Sequence, residues 1–301
     1  MTFSKAKKPL FLFICLFLLQ CQKGISEESY RYQLAVTSIY STEDLPYLEE
    51  WIEFHRLVGV EHFYLFNNLS SDLYREVLDP YIDNGIVEII DWPYPSDDRE
   101  TWHLIYSSAY SKGVELATGE AKWLAVIDTD EFLFGVEEDD LLVLLKEYEK
   151  FGGVAVNWQM YGTSNVEKLD ENQLMIEQLV LKGDKDFFRN QYIKSIVRPE
   201  RVSHYEDGHD ATYHKPFYQV NEHKTRFEGM KSDTVSIDKL RINHYWSRDE
   251  DFFYNIKVER SKKVGIKPEK SIYINNEINR EEDPCILRFV PALRSRIFGC
   301  L

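Results

Sequence analysis

The amino-acid sequence predicts an α/β fold, in which a Rossmann-type, mostly parallel sheet is flanked by helices and followed by an irregular C-terminal lobe. From residue 32 onward, short apolar and β-branched runs alternate with segments of helical period. These helical segments are long enough to connect parallel strands. The chain has 301 residues, of which 44% are hydrophobic, and this is enough for one large domain with a buried core.

The elements follow one another in a regular order over the first half of the chain. Strands are predicted at 32–39, 62–66, 87–90 and 123–127, and helices at 45–58, about 73–81 and about 101–116. The second half is less regular, with strands predicted at 154–158, 192–197 and 240–246 and a polar-aromatic helix at about 249–263. Ligands of such sheets bind beyond the carboxyl ends of the strands. The acidic segment 128–131 lies at the end of the fourth predicted strand.

The first 21 residues are typical of a targeting segment. Lys5, Lys7 and Lys8 precede the apolar run 9–19, which has the length of a signal-peptide core and not of a comfortable membrane span. We interpret 1–21 as a signal peptide or a retained signal anchor, 22–30 as a tether, 31–265 as the main domain and 266–301 as an extension. Cys21 weakly suggests a lipidated N-terminus. The protein is therefore expected to be membrane-associated or exported through this segment, and the side of the membrane stays open.

The charge of the chain limits its partners. The formal net charge is −15, which repels phosphate backbones, so nucleic acid is excluded as an expected partner. A nucleoside diphosphate could still bind if a divalent cation offset the local charge.

The strongest local signal is the segment Asp128-Thr129-Asp130-Glu131, which stands between two apolar runs. Carboxylates two residues apart on extended backbone point the same way and can share one divalent ion. His244, after a later predicted strand, is a candidate further ligand. The alternatives are an acidic turn at a strand end and a histidine hydrogen-bonded within the core.

Several motifs occur together in a characteristic order. They are Glu43-Asp44, Tyr47-Leu48-Glu49-Glu50-Trp51, Gly59-Val60-Glu61-His62-Phe63-Tyr64, Asn67-Asn68-Leu69-Ser70-Ser71-Asp72, Asp128-Thr129-Asp130-Glu131-Phe132 and Asn243-His244-Tyr245. From about residue 34 to 262 their order and spacing resemble glycosyltransferase family 92 and its bacterial family-2-like relatives. The chain departs from the family pattern at Thr42, where Asn is usual, and at Tyr106, where Gln is expected.

The resemblance implies a GT-A fold, a nucleotide-sugar donor (commonly UDP-linked), a glycan or other hydroxyl acceptor, and a divalent cation, commonly Mn²⁺. Asp130 and His244 would ligate the metal, and Asp128 would reach the metal or the donor ribose. The nucleotide would lie near three further residues, which are Glu43, Asn67 and Asp72.

Family members are thought to invert the anomeric carbon, which needs a base to deprotonate the acceptor. The candidates for this base are Glu206, Asp207 and Asp210, which belong to one loop, and Glu131, and we favour Asp210. The acceptor-side candidates are Trp158, Tyr161 and His209, although core packing explains Trp158 equally well.

Two other functions compete with a transferase. A phosphatase of the haloacid dehalogenase type also places Asp-x-Asp after an apolar strand, and segment 183–186 faintly resembles its later acidic motif. In that class, however, the motif usually follows the first strand, whereas three βα units precede it here. The second competitor is a non-catalytic carbohydrate-binding protein or surface lipoprotein with a degenerate transferase fold.

Overall fold

The structure, a computed structural model, describes residues 30–299 of the chain. The predicted leader at 1–21 and most of the tether lie outside these residues. The strands are β1 Tyr32–Tyr40, β2 His62–Asn67, β3 Val87–Asp91, β4 Ala121–Val126, β5 Glu131–Gly135, β6 Gly153–Met160, β7 Leu181–Lys182, β8 Ile193–Val197, β9 Val202–Tyr205, β10 Ala211–Tyr213, β11 Gln219–Asn221, β12 Arg226–Phe227, β13 Leu240–His244 and β14 Glu281–Glu282. The helices are α1 Leu45–Leu57, α2 Tyr74–Asp83, α3 Arg99–Ala117, α4 Leu141–Leu145, α5 Met175–Gln178, α6 Glu250–Phe252, α7 Glu259–Lys263, α8 Pro268–Glu277 and α9 Val290–Ile297.

Short helical turns of other types complete the described elements. Four are 3₁₀ turns, at Thr42–Asp44, Lys146–Tyr148, Pro199–Arg201 and Cys285–Phe289. A π-helical turn, Phe253–Val258, joins α6 to α7, so the predicted helix at about 249–263 is continuous but is not a regular α-helix.

A central sheet organises the fold, with strand order β12-β11-β6-β8-β4-β1-β2-β3. Strands β3, β2, β1 and β4 are parallel to their neighbours in this half of the sheet. Strand β8 runs antiparallel to both β4 and β6. Strand β13 joins the sheet parallel to β6 and also pairs with β5 in the antiparallel sense. The predicted α/β fold with a mostly parallel sheet is therefore confirmed.

Both faces of the sheet are buried, which explains why β1 is buried from Leu34 to Tyr40, including Thr37 and Ser38. Leu34 and Val36 belong to the core on the face that α1 covers, whereas Ala35 and Ile39 belong to the core under α3. Helix α3 approaches β1 closely at Gly113, where the absence of a side chain leaves room for Thr37. A larger residue at this position would collide with Thr37, so Gly113 allows the short distance between α3 and the sheet.

The described part of the C-terminal extension packs on the face that α1 covers. Ile274, Ile286 and Leu293 are buried in the same core as α1. Within residues 30–299, no helix combines the length and the apolar character needed to span a bilayer.

Helix α1 is fastened to β5 by two buried side chains. The indole of Trp51 donates to the carbonyl oxygen of Glu131 at 2.8 Å. His55 Nδ1 donates to the carbonyl oxygen of Trp51 at 2.8 Å, and its Nε2 accepts from the Leu133 amide at 3.2 Å. The imidazole is therefore neutral, and burial lowers the pKa of His55 to about 3. These bonds fix the strand that begins directly after Asp130.

We expect acidification below about pH 6.5 to destabilise the fold through His55. An unfolded imidazole titrates near pH 6.5. Between this value and the folded pKa of about 3, only the unfolded chain binds the extra proton. The contribution of His55 to stability is complete above about pH 6.5, and about 2 kcal/mol of it is lost by about pH 5.

Urea unfolding at about pH 7.5 and pH 5 measures this loss. The variant His55→Gln should lose less free energy of unfolding on acidification than the wild type, because it lacks the titrating group. The matched control is His204→Gln, since the His204 side chain is 46% exposed. An acid-induced loss in His55→Gln equal to that of the wild type would contradict the assignment.

Candidate functional site

A cleft of about 760 Å³ lies at the carboxyl ends of β1, β2 and β4. Its size is that of pockets that enclose small-molecule ligands. The lining residues come from the end of β1 and the turn after it, the loops after β2, β3, β4 and β13, the start of α3, and the helix that includes α7 with the residues after it. They are Ile39, Tyr40, Ser41, Thr42, Glu43, Asp44, Asn68, Leu69, Pro95, Ser96, Asp98, Arg99, Trp102, His103, Tyr106, Asp128, Thr129, Asp130, Trp246, Lys257, Arg260, Ser261, Lys263, Val264 and Ile266.

Three of the predicted site residues line this cleft together. Glu43 follows β1, and Asp128 and Asp130 follow β4. Because β1 and β4 are parallel neighbours, their carboxyl ends share one edge and bring the three carboxylates to one side of the sheet.

Asp130 is a buried carboxylate held between two basic groups. Lys257 Nζ lies 2.9 Å from Oδ2, and His244 Nε2 lies 3.3 Å from Oδ1. Burial alone would raise the pKa of Asp130, but Lys257 and His244 outweigh it and hold the pKa well below its usual range. Asp130 is therefore ionised at any physiological pH.

The partners of Asp128 differ from those of Asp130. The hydroxyl of Tyr110 donates to Oδ1, and Lys194 Nζ lies 3.0 Å from the same atom. The backbone amide of Asp128 donates to Glu131 Oε2 at 2.8 Å. The Asp128 side chain is still 36% exposed, so part of the carboxylate faces the cleft.

Glu131 is fully buried at the start of β5. Burial raises the pKa of Glu131 well above its usual range, despite the nearby Lys194. Its Oε1 has no hydrogen-bond partner among the described residues. Glu131 is not among the residues that line the cleft, so its burial does not support the predicted role as a base, which stays a prediction.

The donor set fits a divalent cation in part. Asp130 Oδ1 and His244 Nε2 lie 3.3 Å apart, which is close to the separation of about 3 Å expected for two ligands of one ion. Asp128 does not complete a compact trio with them in this arrangement. Among the described residues, the one group of three acid or histidine side chains with ligand atoms within 4.8 Å of one another is Glu222, His223 and Asp238.

That second group is explained by the local fold. Both carboxylate oxygens of Glu222 already accept backbone amides, from Asp238 at 2.9 Å, Lys239 at 2.8 Å and Leu240 at 2.7 Å. Glu222 thus stabilises the loop before β13.

Asn67 and Asp72 lie in the turn after β2 and not in the cleft wall. Asn67 Oδ1 accepts the Ser70 amide at 2.9 Å. The neighbouring Asn68 lines the cleft, and its side-chain amide donates to Trp92 O at 2.9 Å. Asp72 is exposed and does not cap α2, whose N-cap is Leu73. Asn68 and not Asn67 or Asp72 therefore lines the cleft, and the donor-binding role of Asn67 and Asp72 stays a prediction that this geometry does not support.

The three predicted acceptor-side residues are packed behind the site. Trp158 is buried, with its ring 4.3 Å from that of His244. Tyr161 is fully buried, and its hydroxyl accepts from Arg241 at 2.6 Å. His209 Nδ1 donates to a backbone carbonyl at 2.9 Å, and burial lowers the pKa of His209 to about 4. The rings of Trp158 and Tyr161 present no free face to a sugar, so their stacking role needs correction.

Asp210 lies in the loop between β9 and β10. Its amide donates to Asp207 Oδ1 at 2.9 Å. Burial and the neighbouring Asp207 raise the pKa of Asp210. Gly208 in this loop packs directly against the ring of Tyr106, which lines the cleft, but no residue of the loop lines the cleft itself.

Sequence reasoning missed several residues that shape the site. Lys194 and Tyr110 hold Asp128, and Lys257 holds Asp130. Trp102 and Tyr106 form an aromatic wall, with ring centroids 6.0 Å apart. One signal was available for Lys194, because a lysine within the apolar run of β8 has to find an acid in the interior.

The comparisons with known proteins concern most of the chain. A sequence model of glycosyltransferase family 92 matches residues 31–281. A family 92 protein of Ricinus communis is 32% identical over 211 residues, covering 66% of this chain and 32% of the relative. The β-1,4-galactosyltransferase galt-1 of Caenorhabditis elegans is 23% identical over 239 residues, covering 76% of this chain and 52% of the relative.

This chain thus spans about a third to a half of the length of these curated relatives. Among solved structures, the mannosyltransferase PcManGT from Pyrobaculum calidifontis, in complex with GDP-Man and Mn²⁺, gives a TM-score of 0.41. The sequence identity is 11%, and the match covers 90% of this chain and 71% of that chain.

Proposed function

Because the chain belongs to glycosyltransferase family 92, we propose that it transfers a sugar from a nucleotide-sugar donor to a hydroxyl group of a glycan or another acceptor. One observation carries the proposal, namely that Glu43, Asp128 and Asp130 meet in one cleft at the carboxyl ends of parallel strands. In sheets of this kind, nucleotides bind at this edge.

The cleft offers complementary groups for each part of such a donor. The carboxylates of Glu43 and Asp128 are acceptors for ribose hydroxyls. Trp102, 38% exposed in the cleft wall, offers a ring face for a base or a sugar. The cationic side chains of Lys257 and Arg260 also line the cleft, next to Asp130 and Glu43. The cleft therefore offers groups that can bind both the hydroxyl groups and the anionic group of such a ligand.

We place a divalent cation, with Mn²⁺ as the first choice, between Asp130 and His244. Their facing atoms are 3.3 Å apart, and part of Asp128 also faces the cleft. A bound cation would supply Lewis-acid stabilisation of the charge on the leaving diphosphate. Asp130 is suited to this role because its carboxylate stays ionised.

Asp210 is the candidate that we propose for the base in an inverting transfer. A base near neutral pH benefits from a raised carboxyl pKa, and burial and Asp207 raise that of Asp210. The contact of Gly208 with Tyr106 supports a position at the border of the cleft.

We further propose that residues 1–21 attach the chain to a membrane or direct its export. The proposal is supported by the three lysines followed by an apolar run.

We expect the protein to release nucleoside diphosphate from one member of a nucleotide-sugar panel in the presence of Mn²⁺. UDP-galactose belongs in the panel because a relative is named as a galactosyltransferase, and GDP-linked sugars test the choice of base. The same reactions with excess chelator are the control, and they should be inactive. If folded protein binds carbohydrate but turns over no donor, the non-catalytic alternative replaces the transferase.

A further inference from the structure

We infer that Lys257 and Arg260 form an anion-binding edge of the cleft that holds the diphosphate of the donor. The inference rests on the proposed function and assigns its phosphate contacts to the helix between α6 and α7. In the structure Lys257 contacts Asp130, which follows β4, and Arg260 faces Glu43, which follows β1. The anion-binding edge therefore lies beside the loops after both strands.

The two side chains lie on one face of the helix. Lys257, Arg260, Ser261 and Val264 all line the cleft. Their positions i, i+3, i+4 and i+7 follow a single helical stripe. The stripe therefore presents an ammonium, a guanidinium and a hydroxyl group in a row, all of which can donate hydrogen bonds to phosphate oxygens.

The π-helical turn helps to direct this stripe into the cleft. Phe253 and Val258 are the buried residues of the turn, and they are five positions apart. A π turn closes its hydrogen bonds over five residues, so Phe253 and Val258 can both pack on the core while Lys257, the neighbour of Val258, lines the cleft. Turns of this type often occur at functional sites.

Lys257 and Arg260 each pair with an acid in the structure, and we expect a phosphate to take the place of that acid. Lys257 Nζ lies 2.9 Å from Asp130 Oδ2, the carboxylate that we assign to the cation. Arg260 Nη2 lies 3.6 Å from Glu43 Oε1, and these two side chains are 53% and 39% exposed. An exposed pair at this distance contributes little to stability, so Arg260 is free to bind a phosphate in place of Glu43.

The charge of the helix end contrasts with that of the whole protein. The chain carries a net charge of −15, yet α7 and the residues just before it hold four cations and one acid. These residues are Lys257, Arg260, Lys262, Lys263 and Glu259. A local concentration of positive charge at a cleft raises the local concentration of anions. Arginine adds a bidentate contact to phosphate, and lysine adds a compact charge.

Titration calorimetry with inorganic pyrophosphate tests the inference without requiring turnover. We expect Arg260→Ala to weaken pyrophosphate binding about tenfold, which corresponds to about 1.4 kcal/mol, with and without MnCl₂. The matched control is Lys262→Ala, which changes an exposed cation of the same helix that pairs with Glu259. It should keep wild-type affinity. Lys257→Gln should weaken binding at least as much as Arg260→Ala, provided that circular dichroism shows it to be folded.

Equal pyrophosphate affinity in Arg260→Ala and Lys262→Ala would overturn the inference. The proposed function is tested separately by the donor panel. If no donor is turned over but pyrophosphate binding depends on Arg260, the anion-binding edge stands without the transferase. If the donor KM of an active enzyme is the same in Arg260→Ala as in the wild type, the transferase stands and the edge is wrong.

Discussion

The variant Asp130→Asn is expected to lose at least about 10²-fold in turnover, because it removes the ionised ligand next to the leaving group. The carboxylate of Asp130 is kept ionised by Lys257 and His244 in a buried position. Asparagine has nearly the same shape but carries no charge, so we expect the cleft to keep its form and to lose the divalent cation that we propose. Release of nucleoside diphosphate and binding of Mn²⁺ are the two measurements, and both should fall together.

The control for this variant is Asp72→Asn. Asp72 belongs to a motif that resembles the family's nucleotide-binding turn, but its side chain is exposed outside the cleft. It should therefore keep wild-type turnover. Undiminished turnover in Asp130→Asn, or full wild-type activity in excess chelator, would remove the cation from the proposal.

The first half of the fold was predictable because each element carries its own local signal. Strands β1 to β4 are short apolar runs, and the helices between them have an apolar face. Strand β5 was not predicted, although it contains the short apolar run 132–134, because it pairs in the antiparallel sense with β13, where Glu131 faces His244. The two segments are far apart in the sequence, and the apolar run does not reveal its partner.

The sequence predicts which strand ends form the site, but it does not predict the directions in which the side chains at these ends point. Neighbouring residues at the end of a strand point to opposite sides, which explains how Asn68 and not Asn67 comes to line the cleft. Trp158 and Tyr161 were assigned to the acceptor because they are aromatic. Strand β6 lies inside the sheet, between β8 and β11, and is buried along its whole length. Trp158 on this strand and Tyr161 directly after it therefore belong to the core.

The two acids of the Asp-x-Asp motif differ in the origin of their counter-charge. The cation at Asp128 is Lys194, which lies on β8 in the middle of the sheet with a side chain only 1% exposed. The cation at Asp130 is Lys257, which lies on a helix outside the sheet. The first pair is fixed by the packing of the strands, whereas the second joins a strand end to a helix. Under the proposed function, we therefore expect Asp130 and not Asp128 to exchange its cationic partner for a metal ion.

We therefore expect Lys194→Met to destabilise the protein by about 3–5 kcal/mol, because it leaves a partly buried carboxylate without its cation. Lys194 Nζ lies 3.0 Å from Asp128 Oδ1 and 5.1 Å from the ring centroid of Tyr110, and methionine keeps the packing but not the charge. Urea unfolding at neutral pH measures the change. Lys224→Met is the matched control, since Lys224 forms an exposed pair with Glu147, and it should cost less than about 1 kcal/mol.

The double variant Lys194→Met/Asp128→Asn separates the loss of a charge pair from the loss of packing. If the cost of Lys194→Met comes from the unpaired Asp128, removing both charges should recover most of the stability, and the double-mutant cycle should show a large coupling energy. Donor turnover should not recover, because Asp128 also faces the cleft. A Lys194→Met variant as mild as Lys224→Met, or a double variant no more stable than Lys194→Met, would show that Lys194 does not fix Asp128.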